Sequence, residues 1–176
     1  MRWSDALPFV LAFFVIKSAR KMITPAPAPA SARVVPRKNT GGGATYRPAR
    51  IAALAAHGIT GDVAEAIFAQ WAFETAYGRG EWNFNVGNRI ALAGDPAVDL
   101  GKAGYFKAYD TLDAGVAEYL TLVQSSRYAQ AWTMLHAAPR SSAWIRQLVL
   151  SGYADKTHVD AYEAGYLRML HYRPEA

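Results

Sequence analysis

The chain has 176 residues, a formal net charge of +5 and no cysteine, a length that suits one ordinary domain with an appendage and excludes two large ones. Five Trp, ten Tyr and seven Phe among 52% hydrophobic residues exclude a wholly disordered chain, and the missing cysteines exclude disulfide frameworks and thiolate metal or redox chemistry. The positive charge suggests nucleic acid only until it is located: residues 1–50 carry nine Lys/Arg and one acid, the rest ten Lys/Arg and thirteen acids. The part that folds is acidic, so no nucleic-acid partner is expected.

Ala6–Ile16 is an unbroken apolar run, shorter than the roughly 20 residues of a membrane-spanning helix. Extended over residues 1–22 it takes in Arg2, Asp5, Lys17, Arg20 and Lys21, whose long basic chains can snorkel to an interface. Residues 1–22 therefore read as a membrane anchor. A signal peptide cleaved near Ala30-Ser31-Ala32 and a buried or interfacial helix are the alternatives. The basic cluster after the run would by the positive-inside rule hold the folded domain on the cytoplasmic side. Residues 23–46 read as a linker, with alternating Pro-Ala as a stiff spacer and Gly41–Gly43 as a joint. A monomeric folded domain is expected over 47–176.

In that domain Pro48 and Gly58 bracket a short helix through Ile51 and Leu54. Asp62 and Glu65 resemble a capping box opening a second helix, which runs to about Tyr77 before Gly78 and Gly80 close it. Apolar residues recur at helical spacing in four more stretches, through Leu112–Val123, Tyr128–Leu135, Trp144–Val149 and Val159–Met169. Trp82–Asp110 is rich in Gly and reads as loops with a small hairpin near Tyr105–Tyr109. The expected fold is mainly α with one small irregular or β lobe, and so long an irregular connection inside a helical domain points to function.

Ile67, Trp71 and Glu74 stand at i, i+4 and i+7 of the second helix, so Glu74 lies on the apolar stripe that faces inward. Burial disfavours a charged carboxylate and suits a group that must hold a proton and deliver it. The same arrangement, a glutamic acid against tryptophan, makes the general acid of lysozyme. The plainer alternative is a helix-end Glu bonded to backbone or to Arg79. The lobe offers Trp82, Asn83, Asn85, Asn88, Tyr105 and Tyr109, aromatic faces and amides of the kind that bind sugar rings, although Asn85 and Asn88 also suit turns. His57, His136, His158 and His171 do not cluster with acids, and neither a metal nor a cofactor is expected.

Gln70-Trp71-Ala72-Phe73-Glu74-Thr75-Ala76-Tyr77-Gly78 resembles the helix that bears the catalytic glutamate in the glucosaminidases of glycoside hydrolase family 73. Four further stretches resemble that family in the same order: Trp82–Asn88, Tyr105–Asp110 with Gly115–Tyr119, Arg127-Tyr128, and Ser151–Ala154 with Tyr162. The resemblance spans about residues 60–171. It implies an α+β lysozyme-like fold, a peptidoglycan hydrolase cutting the glycan strand, Glu74 as the acid, and Tyr153 near it, with Tyr162 among the substrate-binding residues. A lytic transglycosylase, a muramidase and a non-catalytic peptidoglycan-binding module on the same fold are the alternatives. The family's proposed second glutamate has no counterpart here, so Asp95 and Asp99 are the candidates for a second carboxyl role. The expected setting is the bacterial inner membrane or a phage virion membrane, with action on the periplasmic wall. The cytoplasmic side is the wrong one for that work, a conflict resolved by a phage enzyme carried in a virion membrane or released at lysis, or by weak topology control from so short a segment.

Overall fold

The structure, a computed structural model, describes residues 34–38, 44–92, 94–100 and 104–172. The apolar run, the alternating Pro-Ala stretch, Ala30-Ser31-Ala32 and Gly41–Gly43 lie outside the described residues, within which no helix is long and apolar enough to cross a membrane. The described chain is mainly helical with one two-stranded sheet, in the order α1 (Tyr46–Ala56), α2 (Gly61–Glu74), β1 (Ala97–Asp99), β2 (Tyr105–Lys107), α3 (Leu112–Val123), α4 (Ala129–Ala137), α5 (Ala143–Leu150) and α6 (Val159–His171). Short 3₁₀ turns at Ser126–Tyr128 and Lys156–His158 lead into α4 and α6. β1 and β2 pair antiparallel with Val98 opposite Phe106; the second strand falls where the sequence predicts a hairpin, near Tyr105–Tyr109, while the first lies upstream of it.

α2 is the central element. From Ala66 to Glu74 every residue is buried, because α6 and α1 pack against it while α4 also touches it. α6 comes close through Gly165, where a Cβ would lie 2.1 Å from the Phe73 ring. α1 ends as Pro48 and Gly58 predict: Gly58 takes φ 77° and Ile59 N–H reaches back to the Leu54 carbonyl at 3.0 Å, the left-handed cap that glycine makes without steric cost.

Two local expectations are corrected. Asp62 and Glu65 form no capping box; Thr60 precedes the helix without a side-chain cap bond, and the two carboxylates are taken by Arg140 and Arg47. A guanidinium adds its own full charge and a forked set of donors that matches a carboxylate, which a single backbone N–H does not. α2 also stops at Glu74 and not near Tyr77. The Ala76 N–H bonds to the Phe73 carbonyl at 3.3 Å and the Tyr77 N–H to the Ala72 carbonyl at 2.6 Å, a left-handed helix end built with alanine where glycine is usual.

Tyr46, at the end of the stretch read as linker, is the first residue of α1 and is 3% exposed. Residues 34–38, from the same stretch, lie along the lobe: Lys38 bridges Trp82, and the Val34 N–H donates to the Ala97 carbonyl at 2.7 Å.

Candidate functional site

Glu74, the last residue of α2, is 1% exposed. Tyr162 of α6 donates its hydroxyl hydrogen to Glu74 Oε1 at 2.5 Å and accepts from Gln70 Nε2, one turn earlier on α2, at 2.9 Å. Burial, followed by the charge of Glu74, holds the Tyr162 hydroxyl well above its ordinary pKa of 10, so it stays a donor. Asn88 donates its side-chain amide to the backbone carbonyl of Glu74. The helix end is thus fixed from two directions.

The Tyr119 ring of α3 stands edge-on to Trp71, with centroids 5.1 Å apart. Burial, then Tyr153 and Glu74, push the Tyr119 hydroxyl well above 10. Tyr153 donates to the Gly87 carbonyl at 3.0 Å. A Cβ on Gly87 would lie 2.8 Å from that hydroxyl and 2.9 Å from the Tyr119 ring, so glycine is what lets the loop approach both tyrosines. Tyr153 is delivered by the end of α5: Gly152 has φ 94°, and the Tyr153 N–H bonds to the Leu148 carbonyl at 3.2 Å. Arg127 Nε donates to the Ser151 carbonyl at 2.8 Å there. The motifs around Arg127 and Gly152, separate in sequence, therefore meet behind the site.

The described non-glycine residues with positive φ are Ala76, Tyr77, Asn83, Phe84 and Asn88, all in the segment after Glu74. Each such residue costs of order 1–3 kcal/mol, and such strain gathers where a chain must present groups in a set geometry. A buried network holds the segment: Tyr46 bonds Glu81 Oε2 at 2.8 Å and lies 3.0 Å from the Thr75 hydroxyl, while Arg50 pairs with Glu81 at 2.5 Å. Thr75 accepts from the Gly78 N–H at 2.9 Å. Glu81 is the residue that sequence reasoning missed. Its partners lie more than thirty residues upstream, and no local pattern marks a fully buried ion pair.

The lobe residues divide. Asn85 bonds the Arg89 carbonyl at 2.8 Å and the Lys107 carbonyl at 3.0 Å and accepts the Arg89 N–H at 2.8 Å, so its amide knits the loop to the hairpin. Trp82 is half-buried, with Lys38 Nζ 5.9 Å from its ring centroid. Tyr105, in β2, pairs with Asp99 at the far end of the hairpin. Tyr109 is half-buried among Glu118, Arg89 and Asp95, and burial, then Glu118, raises its hydroxyl. Asp95 closes a turn by accepting the Leu92 N–H at 2.8 Å and sits 3.3 Å from Lys107, which also pairs with Glu118.

Glu74, Asn88, Tyr153 and Tyr162 are brought together. Asp95 is engaged elsewhere, and two surface hollows, lined by Glu65, Arg140, Leu170 and His171 and by Leu167–Met169 with His171 and Tyr172, contain none of the candidate residues.

The Glu74 carboxyl thus has one oxygen bonded to a hydroxyl donor at a buried helix end, beside the Trp71 and Tyr119 rings. A carboxyl in its protonated form can donate to an oxygen brought within hydrogen-bond reach and take the proton back. Comparison with protein-family models, curated proteins and solved structures returns no match for this chain.

Proposed function

We propose that residues 47–172 form a lysozyme-like glycoside hydrolase domain that cuts the glycan strand of peptidoglycan, as an N-acetylglucosaminidase with Glu74 as general acid. The observation that carries the reading is the Glu74 carboxyl at the end of a helix buried from Ala66 onward, held by Tyr162 and succeeded at once by the strained segment. The Tyr162 hydroxyl that donates to Glu74 is neutral, a bond that suits an acid that must give up and regain a proton. Protonation of the glycosidic oxygen by Glu74 lets the leaving sugar depart as the alcohol, and the carboxylate so formed then accepts a proton from the attacking group. The apolar run at residues 6–16 supports anchorage to a bacterial or phage membrane beside the wall.

One observation favours a second reading, in which Glu74 works as the single carboxyl. Asp95, Glu81 and Glu118 are all tied to basic partners, and the other candidate, Asp99, stands in the hairpin opposite Tyr105. The substrate's own N-acetyl oxygen or 6-hydroxyl then attacks the anomeric carbon, and Glu74 removes the hydroxyl proton in the second case, leaving an anhydro sugar. Mass spectrometry of muropeptides released from purified peptidoglycan separates these readings. New reducing-end N-acetylglucosamine supports the glucosaminidase, reducing-end N-acetylmuramic acid a muramidase, and anhydro ends the transglycosylase. Tight binding with no released product points to a binding module.

A further inference from the structure

Residues 34–38 contribute no core side chain: Val35 is 82% exposed, and the three residues after it are exposed as well. Backbone bonds hold them. The Arg37 N–H donates to Asn83 Oδ1 at 2.9 Å, the Arg37 carbonyl accepts the Asn83 N–H at 2.9 Å, and the Val35 carbonyl accepts Asn83 Nδ2 at 3.2 Å. Asn83 thus commits its backbone N–H and both ends of its side-chain amide to this stretch. Its carbonyl in turn accepts the Tyr109 N–H at 2.9 Å.

Asn83 is 4% exposed with φ 47°, and its neighbour Phe84 has φ 55°. Asparagine tolerates the left-handed region; a bulky residue such as Phe84 does so only where its surroundings compel it. The compulsion comes from both sides. The Phe84 carbonyl oxygen lies where a Cβ on Gly115 would be, 2.1 Å away, so α3 supports the turn from within while residues 34–38 clamp it from without.

We infer that Val34–Lys38 are a positioning strap: they hold the Trp82–Phe84 turn, and through Tyr109 and Ala97 the hairpin, in register with the helix that ends at Glu74. The strap belongs to the working domain and not to the tether. Its effect on turnover rests on the proposed glycan cleavage; its effect on the lobe does not.

The test uses the full chain. Arg37→Pro removes the N–H that Asn83 Oδ1 accepts, whereas Arg37→Ala keeps that donor and removes only the guanidinium. Followed by hydrogen exchange and mass spectrometry, Arg37→Pro is expected to exchange about ten-fold faster than wild type at residues 82–84 and 105–109, the loss of about one hydrogen bond. α2 and α6 should be unchanged, and Arg37→Ala should exchange like wild type. On peptidoglycan, kcat of Arg37→Pro should fall about ten-fold with KM within about two-fold, as expected of misplaced groups and not of lost binding.

The strap is overturned if lobe exchange in Arg37→Pro stays within about two-fold of wild type, if α2 accelerates equally, or if Arg37→Ala matches it. It is also overturned if turnover is undiminished while the lobe loosens. A wild-type chain that cleaves no glycan sinks the hydrolase reading instead, and the exchange data then decide the strap by themselves.

Discussion

Glu74→Gln isolates the proton from everything else the side chain does. The amide has nearly the same shape, and its oxygen can still accept the Tyr162 hydroxyl that now donates at 2.5 Å. A positioned general acid contributes about 10²–10⁴ in rate, which is roughly 3–5 kcal/mol of transition-state stabilisation. For stability two effects oppose. A bond to a charged acceptor is worth about 1.5–3 kcal/mol and a neutral one about 0.5–1.5, so about 1 kcal/mol is lost where the acid is ionised. Against this, the amide carries no charge to be desolvated at a site only 1% exposed. The thermal midpoint should therefore move by no more than about 4 °C in either direction. Turnover is measured on purified peptidoglycan, with a thermal melt of the same preparation beside it. Glu74→Asp serves as the companion, since withdrawing the carboxyl by about one C–C bond should also cost on the order of 10²-fold. Retention of more than about a tenth of the wild-type rate by a folded Glu74→Gln protein would refute the assignment.

Tyr162→Phe strips a partner from two buried groups, Glu74 Oε1 and Gln70 Nε2, at about 1–3 kcal/mol each; it should lower stability by roughly 2–5 kcal/mol in chemical denaturation while the ring keeps its edge contact with Phe73, and a loss under about 1 kcal/mol would show that the hydroxyl does not hold the site. Asp62, Asp155 and Glu163 are all held below their ordinary values, Asp62 chiefly by Arg140, Asp155 by the Thr157 N–H, and Glu163 by Ser142 and then Arg146. Depressed carboxyls stabilise the fold above their unfolded pKa, 3.8 for Asp and 4.5 for Glu, and lose that contribution as pH falls through the lower folded values. The thermal midpoint should accordingly be level down to about pH 5 and decline below about pH 4, less steeply in Asp62→Asn, and an acid decline unaltered by that variant would contradict the Arg140 pairing. Asp95→Ala should keep activity within about ten-fold of wild type, because Asp95 serves the Leu92 turn and Lys107; a loss of about 10²-fold in a protein that melts like wild type would make Asp95 a second catalytic carboxyl after all.

What could be read from the sequence was what short-range physics decides. Gly58 and Gly152 mark the ends of α1 and α5 because a left-handed cap needs them. Ile67, Trp71 and Glu74 share one face of α2 by helical spacing, and Glu74 is buried as expected, although from Ala66 onward packing buries every face of the helix and not that stripe alone. Short apolar stretches beside turn residues mark β2 near Tyr105, though not its partner at Ala97–Asp99. The misreadings share a cause. Asp62 and Glu65 have the spacing of a capping box, yet arginines 78 and 18 residues away take their carboxylates. Ala76 and Tyr77 would extend α2 on propensity alone, yet the chain turns left-handed there. Competition from distant charged partners and tertiary packing leaves no periodicity to detect.

The same reasoning explains why residues 34–38 escape a sequence reading. Their composition is that of a linker, and almost nothing about them is buried; what orders them is the backbone, and backbone groups are identical in every sequence. The information lies instead in Asn83, whose amide matches the paired N–H and C=O of an extended strand, and in the conformation that asparagine tolerates there. Glu81 carries the complementary lesson from inside the domain. A fully buried carboxylate is costly unless it is paired, and the pairing of Glu81 with Arg50 and Tyr46 fixes α1 against the segment that leaves Glu74. α1 and the strap thus hold that segment from different sides, one through a buried charge and one through exposed backbone. Both bear on where the groups around Glu74 come to rest.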